Sequence, residues 1–252
     1  MINVNDIRLI AFDADDTLWD CQGHFDEVER QYCEILSPWG TAKEVSDALF
    51  QTESCNMALM GYGCKAFTIS IIENAIRFSH GEIKADDVMK IVELGKSLLE
   101  LPAMPLPGVA PTLQALRQSG RYRMVVFTKG ELLDQHTKVI RSGLSRYFDD
   151  VVIVTDKTKD EYQKLCHLFD TTISHLLMVG NSFRSDIEPV LQLGGYAAHI
   201  PFHTEWKHEA TEEYDHPHLW RLQQFEELQT LVSNLGFRTC ETLVPNGLDG
   251  PR

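Results

Sequence analysis

Apolar positions along this chain follow two different rhythms. Leu9-Ile10-Ala11-Phe12 is a short unbroken apolar run that stops at acidic residues, the pattern of a buried strand. From there to about residue 100 the rhythm is helical. Phe25, Val28, Tyr32, Ile35 and Leu36 recur at three- and four-residue steps, and Lys43 to Met60 continues in the same way. A Gly61-Tyr62-Gly63 break then separates two further helical runs, one carrying Phe67, Ile71, Ile72, Ala75 and Ile76, the other Val88, Ile91, Val92 and Leu94. The prolines of Leu101 to Gly108 close this all-helical block and read as a linker.

Beyond Pro111 the rhythm alternates. A helix with Leu113 and Leu116 leads to the run Met124 to Phe127; a helix from Leu132 to Arg141 leads to Val151 to Val154. A helix with Tyr162, Leu165 and Leu168 precedes Leu176 to Val179; Asp186 to Leu193 reads as a helix before a fifth strand, Tyr196 to Ile200. Strand and helix in alternation predict an α/β, Rossmann-like three-layer core with a parallel sheet, which the first strand should join. The expected organisation is a core of residues 1–20 and 105–238, an inserted helical domain over 21–104, and a mobile tail over 239–252. Phe225 to Leu235 reads as a closing helix.

Composition narrows the partners. A formal net charge of −14, from 23 Lys+Arg against 37 Asp+Glu, excludes the basic footprint that nucleic acids or anionic membranes require. The 6 cysteines form no CxxC pair, so neither a zinc site nor a disulfide framework is expected. With no basic leader and no membrane-length apolar run, the expected location is cytoplasmic.

In open parallel sheets, ligands bind beyond the carboxyl ends of the strands. The residues there are Asp13-Ala14-Asp15-Asp16-Thr17, then Thr128-Lys129-Gly130, then Thr155-Asp156-Lys157, then Gly180-Asn181-Ser182 with Asp186 close behind. Clustered carboxylates repel one another and call for a positive charge, most simply a divalent cation. Asp13 and Asp15, two apart on extended backbone, point to the same side. Asp16 and Asp156 are expected to point elsewhere or cap helices, and the histidines between His199 and His218 match no metal-ligand spacing.

These four segments, in this order, resemble the signatures of the haloacid dehalogenase superfamily, and the DxDxT at Asp13 resembles that of its phosphatase members. The resemblance implies that Asp13 is the nucleophile, forming an aspartyl-phosphate, and that Asp15 is the general acid and base. It implies that Thr128 and the backbone N–H groups of Lys129 and Gly130 cradle phosphate, and that Lys157 offsets the negative charges. Lys159 competes with Lys157 for that role; the register of Tyr162 favours Lys157. Mg²⁺ would be held by Asp13, the Asp15 carbonyl, Asn181 and Asp186. Asn181 stands where this family usually has Asp, so weaker metal binding is expected. The inserted helices would form a cap, with Tyr62 and Lys65 facing a small-molecule phosphate ester. Two other functions stay open: hydrolytic dehalogenation, whose halide leaving group needs no acid, and phosphate binding without turnover.

Overall fold

A computed structural model of the chain describes residues 7–204 and 206–234. The expected tail, 239–252, and the last residue of the expected closing helix lie outside the described residues. Strand β1 (Leu9–Phe12) is followed by four helices, α1 (Gln22–Leu36), α2 (Ala42–Met60), α3 (Cys64–Phe78) and α4 (Ala85–Leu99). The chain then alternates through α5 (Val109–Ser119), β2 (Arg123–Lys129), α6 (Leu132–Arg141), β3 (Asp150–Val154), α7 (Lys159–Leu168) and β4 (Leu176–Gly180). It ends in α8 (Glu188–Gln192), β5 (Tyr196–His199), β6 (Leu219–Arg221) and α9 (Glu227–Asn234).

The six strands form one parallel sheet in the order β3-β2-β1-β4-β5-β6. Every residue of β1 and β4 is buried, because both faces of the sheet are covered. The period-two alternation sorts the two faces. Ile10, Phe12, Met124, Val126, Leu177 and Val179 pack with Leu113, Val139 and Leu228, while Leu9, Ala11, Val125, Phe127 and Met178 pack with Tyr162, Leu165 and Val190. Each fully buried Leu, Ile, Val or Phe contributes about 1.5–3 kcal/mol, so the central strands are the most firmly held part of the molecule. The order reverses at β1, which lies between β2 and β4; a site is expected at the carboxyl ends of these strands.

The four inserted helices bury their own apolar stripes against one another, around Tyr32, Leu36, Leu49, Ile71 and Ile91. Helix α2 starts with a capping box: Thr41 accepts from the Glu44 backbone N–H, and the Glu44 carboxylate accepts from the Thr41 backbone N–H. The link to the sheet is a tight turn in which Asp16 takes a positive φ of 62°. Its carboxylate accepts the N–H groups of Cys21 and Gln22, both at 2.8 Å, so Asp16 fixes the start of α1.

Two elements differ from the sequence reading. The expected helix from Asp186 begins earlier, as a widened turn over Phe183–Ile187 capped by Ser182, and α8 proper starts only at Glu188. Strand β6 was not expected, since three residues after His216-Pro217-His218 carry no periodic signal; pairing with β5 makes them a strand. Among the described residues no helix is long and apolar enough to cross a membrane.

Candidate active site

Asp13 follows the last residue of β1, and its backbone N–H donates to Val179 O at 2.9 Å, which holds it at the junction with β4. Its side chain is buried. One oxygen pairs with the Lys157 ammonium, and the other accepts the Thr17 hydroxyl at 3.2 Å. Lys157 also pairs with Asp186 at 2.6 Å, bridging two buried carboxylates from different strand ends. Burial pushes Asp13 up to about 7; Lys157 pulls against this and Asp186 adds to it. Lys157 is raised because Asp13 and Asp186 outweigh its own burial. Lys159, by contrast, is exposed at the start of α7, while Lys157, the lysine preferred on register, is the one that reaches Asp13.

Asp15 does not hang freely beside Asp13. Its two oxygens accept from Trp19 Nε1 at 2.8 Å, Gln135 Nε2 at 2.8 Å and Lys138 Nζ at 3.0 and 3.1 Å. Lys138 is itself buried and also pairs with Asp134 at 3.1 Å. Burial alone would raise the Asp15 carboxyl, but Lys138 and the hydrogen bonds of Gln135, Lys138 and Trp19 hold it below its ordinary value. This qualifies the role expected from sequence. A carboxylate surrounded by donors suits a base more than an acid.

Asn181 brings one terminal atom of its amide to 3.2 Å from Asp13 Oδ2, 3.3 Å from the Asp15 carbonyl and 3.1 Å from Thr17 Oγ1. All three can accept, so the amide is assigned with its nitrogen inward. Turned the other way, its oxygen would join Asp13 Oδ2 and the Asp15 carbonyl in a hard, oxygen-only donor set of the kind Mg²⁺ takes. These three groups fit a metal. Asp186 does not complete the set as expected: its oxygens are taken by Lys157 and by the Ser182 N–H at 3.0 Å, so it positions the lysine. Among the described residues no three of His, Cys, Asp and Glu cluster in a way that could hold an ion.

Thr128, at the end of β2, is buried and lines the same cavity. The glycine turn beside it is less open than expected. The Gly130 N–H donates to Val154 O at 3.1 Å, extending the β2–β3 pairing, and so is not free for phosphate. The Lys129 ammonium leaves the strand end to pair with Glu209, donates to Ser185 Oγ at 3.1 Å and lies 4.4 Å from the Tyr62 ring centre. Tyr62 thus faces the cavity. Lys65 does not, and here the expectation is corrected: its exposed ammonium and its backbone N–H both go to Glu131, tying α3 to the start of α6.

The cavity between sheet and inserted helices measures about 490 Å³ and is walled by Phe25, Glu53, Met57 and Phe67 of the inserted helices, with Trp206 packed edge-on against Tyr62. That is room for a small metabolite. Of the histidines, His199 is buried, with Nε2 2.9 Å from Asn181 O. Sequence reasoning missed Gln135, Lys138 and Glu209. The only signal for Lys138 was its i,i+4 spacing from Asp134; Glu209 sits in irregular chain where no periodicity points to a site.

The profile of the haloacid dehalogenase-like hydrolases matches residues 7–194. A haloacid dehalogenase-like family hydrolase of Xanthomonas campestris superposes with a TM-score of 0.83 at 32% identity, covering 92% of each chain. The pyrimidine 5'-nucleotidase YjjG of Escherichia coli (strain K12) is 27% identical over 88% of this chain and 96% of its own length. Haloacetate dehalogenase H-2 of Moraxella sp. (strain B) is 30% identical over 59% of this chain, which spans 63% of that enzyme's length. The matched span covers the strand ends that carry Asp13, Thr128, Lys157 and Asn181, and this chain belongs to the haloacid dehalogenase-like hydrolase family.

Proposed function

We propose that this protein is a Mg²⁺-dependent phosphatase that hydrolyses a small-molecule phosphomonoester through phosphorylation of Asp13. The observation that carries the reading is the buried Lys157 bridge between Asp13 and Asp186, beside Thr128 and open to a metabolite-sized cavity. An anion attacking an anion needs fixed positive charge at the point of contact, and Lys157 supplies it without reorganisation.

In the first half-reaction an Asp13 oxygen bonds to phosphorus as the bond to the leaving oxygen breaks, with Thr128 and Lys157 facing the phosphoryl oxygens. In the second, Asp15 takes a proton from the water that attacks phosphorus and frees Asp13, then releases it to the departed oxyanion or to solvent and returns to its carboxylate form. Gln135, Lys138 and Trp19 hold Asp15 as the carboxylate this step needs. A leaving oxygen that requires a proton is served less well, so aryl and acyl phosphates should turn over faster than alkyl ones. Asp13, the Asp15 carbonyl and the Asn181 amide oxygen would hold the metal, whose charge would stabilise the phosphoryl oxygens.

Hydrolytic dehalogenation is the second reading. It is favoured by the ionised state of Asp15, since a departing halide takes no proton, and by the similarity to the Moraxella enzyme. The test is direct. Hydrolysis of p-nitrophenyl phosphate that needs Mg²⁺ and is abolished by EDTA and by Asp13→Asn supports the phosphatase; metal-independent chloride release from 2-chloropropionate supports the dehalogenase.

A further inference from the structure

Asparagine has a donor end and an acceptor end of nearly the same shape, and Asn181 presents this pair to the buried carboxylate of Asp13. With nitrogen inward, its two protons meet Asp13 Oδ2, the Asp15 carbonyl and Thr17 Oγ1, all within 3.1–3.3 Å. The Thr17 hydroxyl has one proton, for Asp13 Oδ2 or for Asn181 Oδ1, so an inward-facing amide oxygen still meets the Asp13 Oδ2 and Asp15 carbonyl oxygens with at most one proton among them. A cation relieves the crowding that this one proton leaves. The backbone of Asn181 is fixed on both sides, its carbonyl by His199 Nε2 at 2.9 Å and the next N–H by Asp186 Oδ2 at 3.0 Å. Rotation of the terminal amide, a soft two-fold torsion, is the adjustment left to it.

We propose that Asn181 is a metal-conditional switch: its NH₂ end holds Asp13 and the Asp15 carbonyl in place when no metal is bound, and a divalent cation enters only as the amide turns its oxygen inward. The metal-free site is therefore already organised around its nucleophile. Metal must displace internal hydrogen bonds and gains a neutral ligand, so its binding is weakened twice. An aspartate at this position has no donor end, and would leave the empty site with an unrelieved negative charge. The inference rests on the phosphatase reading only in the choice of Mg²⁺; the measurements below contain no substrate, so loss of the switch and loss of phosphatase activity are separate results.

Calorimetric titration of the purified protein with Mg²⁺, alongside Asn181→Asp, tests it. The variant is expected to bind Mg²⁺ about tenfold more tightly or better, through one more charged ligand. In EDTA it should unfold at a lower temperature than wild type and recover with Mg²⁺, whereas the wild-type midpoint should hardly move. In the wild type the Asn181 side-chain NH₂ resonances should shift in step with Mg²⁺ occupancy, a readout that stands even if the variant fails to fold. Equal Mg²⁺ affinities, an equal Mg²⁺ dependence of the two midpoints, or NH₂ resonances that stay unchanged at saturating Mg²⁺ would each overturn the proposal.

Discussion

Replacing Lys157 with Met keeps the length of the side chain and removes the charge that two buried carboxylates share. Asp186 is 0% exposed and Asp13 7% exposed, so water can replace little of what the ammonium provides. Removing one partner of such a pair costs about 3–5 kcal/mol. For a chain of this size that corresponds to a fall in melting temperature on the order of 6–20 °C. The loss should depend on pH with a definite sign. Without the cation, burial holds the folded-state pKa values of Asp13 and Asp186 above their unfolded values, so the folded variant binds more protons than the unfolded chain. Its stability is then greatest in acid and falls as pH rises, and the deficit against wild type should be larger at pH 8 than at pH 5. Denaturant melts at both pH values measure this. Adding Asp186→Asn should restore part of the stability at pH 8 while leaving turnover depressed by about 10²–10³-fold. A Lys157→Met protein as stable as wild type at pH 8, or with a larger deficit at pH 5, would refute the reasoning.

Other expectations follow from particular contacts. A Cβ on Gly180 would come 2.6 Å from Asp186 Cβ and drive that carboxylate off Lys157, so Gly180→Ala should lose about 1–3 kcal/mol and most activity; an unchanged thermal melt would contradict this. Burial, with Glu29 nearby, pushes Glu53 up to about 7, so the stability this group adds in acid is lost as pH rises through that value. Glu53→Gln should therefore gain on wild type in urea midpoint between pH 5 and pH 8, and a constant difference would count against it. Lys138→Met removes the ammonium that keeps Asp15 ionised, so the ratio of alkyl to aryl phosphate turnover should rise even as overall stability falls; steady-state rates on matched esters measure it.

Much of the core was legible because burial on both faces writes the strands as unbroken apolar runs, and the site lies where each run stops. That logic located Asp13, Thr128, Lys157 and Asn181, and the register of α7 separated Lys157 from the exposed Lys159. What could not be read was partnership across the sheet. Lys138 looks like one more polar position on an amphipathic helix until the fold brings α6 beside the β1 turn. Gly130 looked like a phosphate cradle, but the extra step of β3 pairing consumes its N–H. Lys65 sits in the right turn yet points to Glu131, because a turn fixes where a residue lies and not which way a long side chain leaves it.

The central claim is that the Asp13 carboxylate carries the phosphoryl group between the two halves of the reaction. Rapid quenching of turnover, followed by borohydride reduction and mass spectrometry, reads this directly, since an aspartyl-phosphate is reduced to homoserine. Homoserine at position 13, dependent on the phosphate ester and absent from Asp13→Asn, is the expected result. Phosphate release during turnover with Asp13 left unmodified, or homoserine at another aspartate, would contradict it.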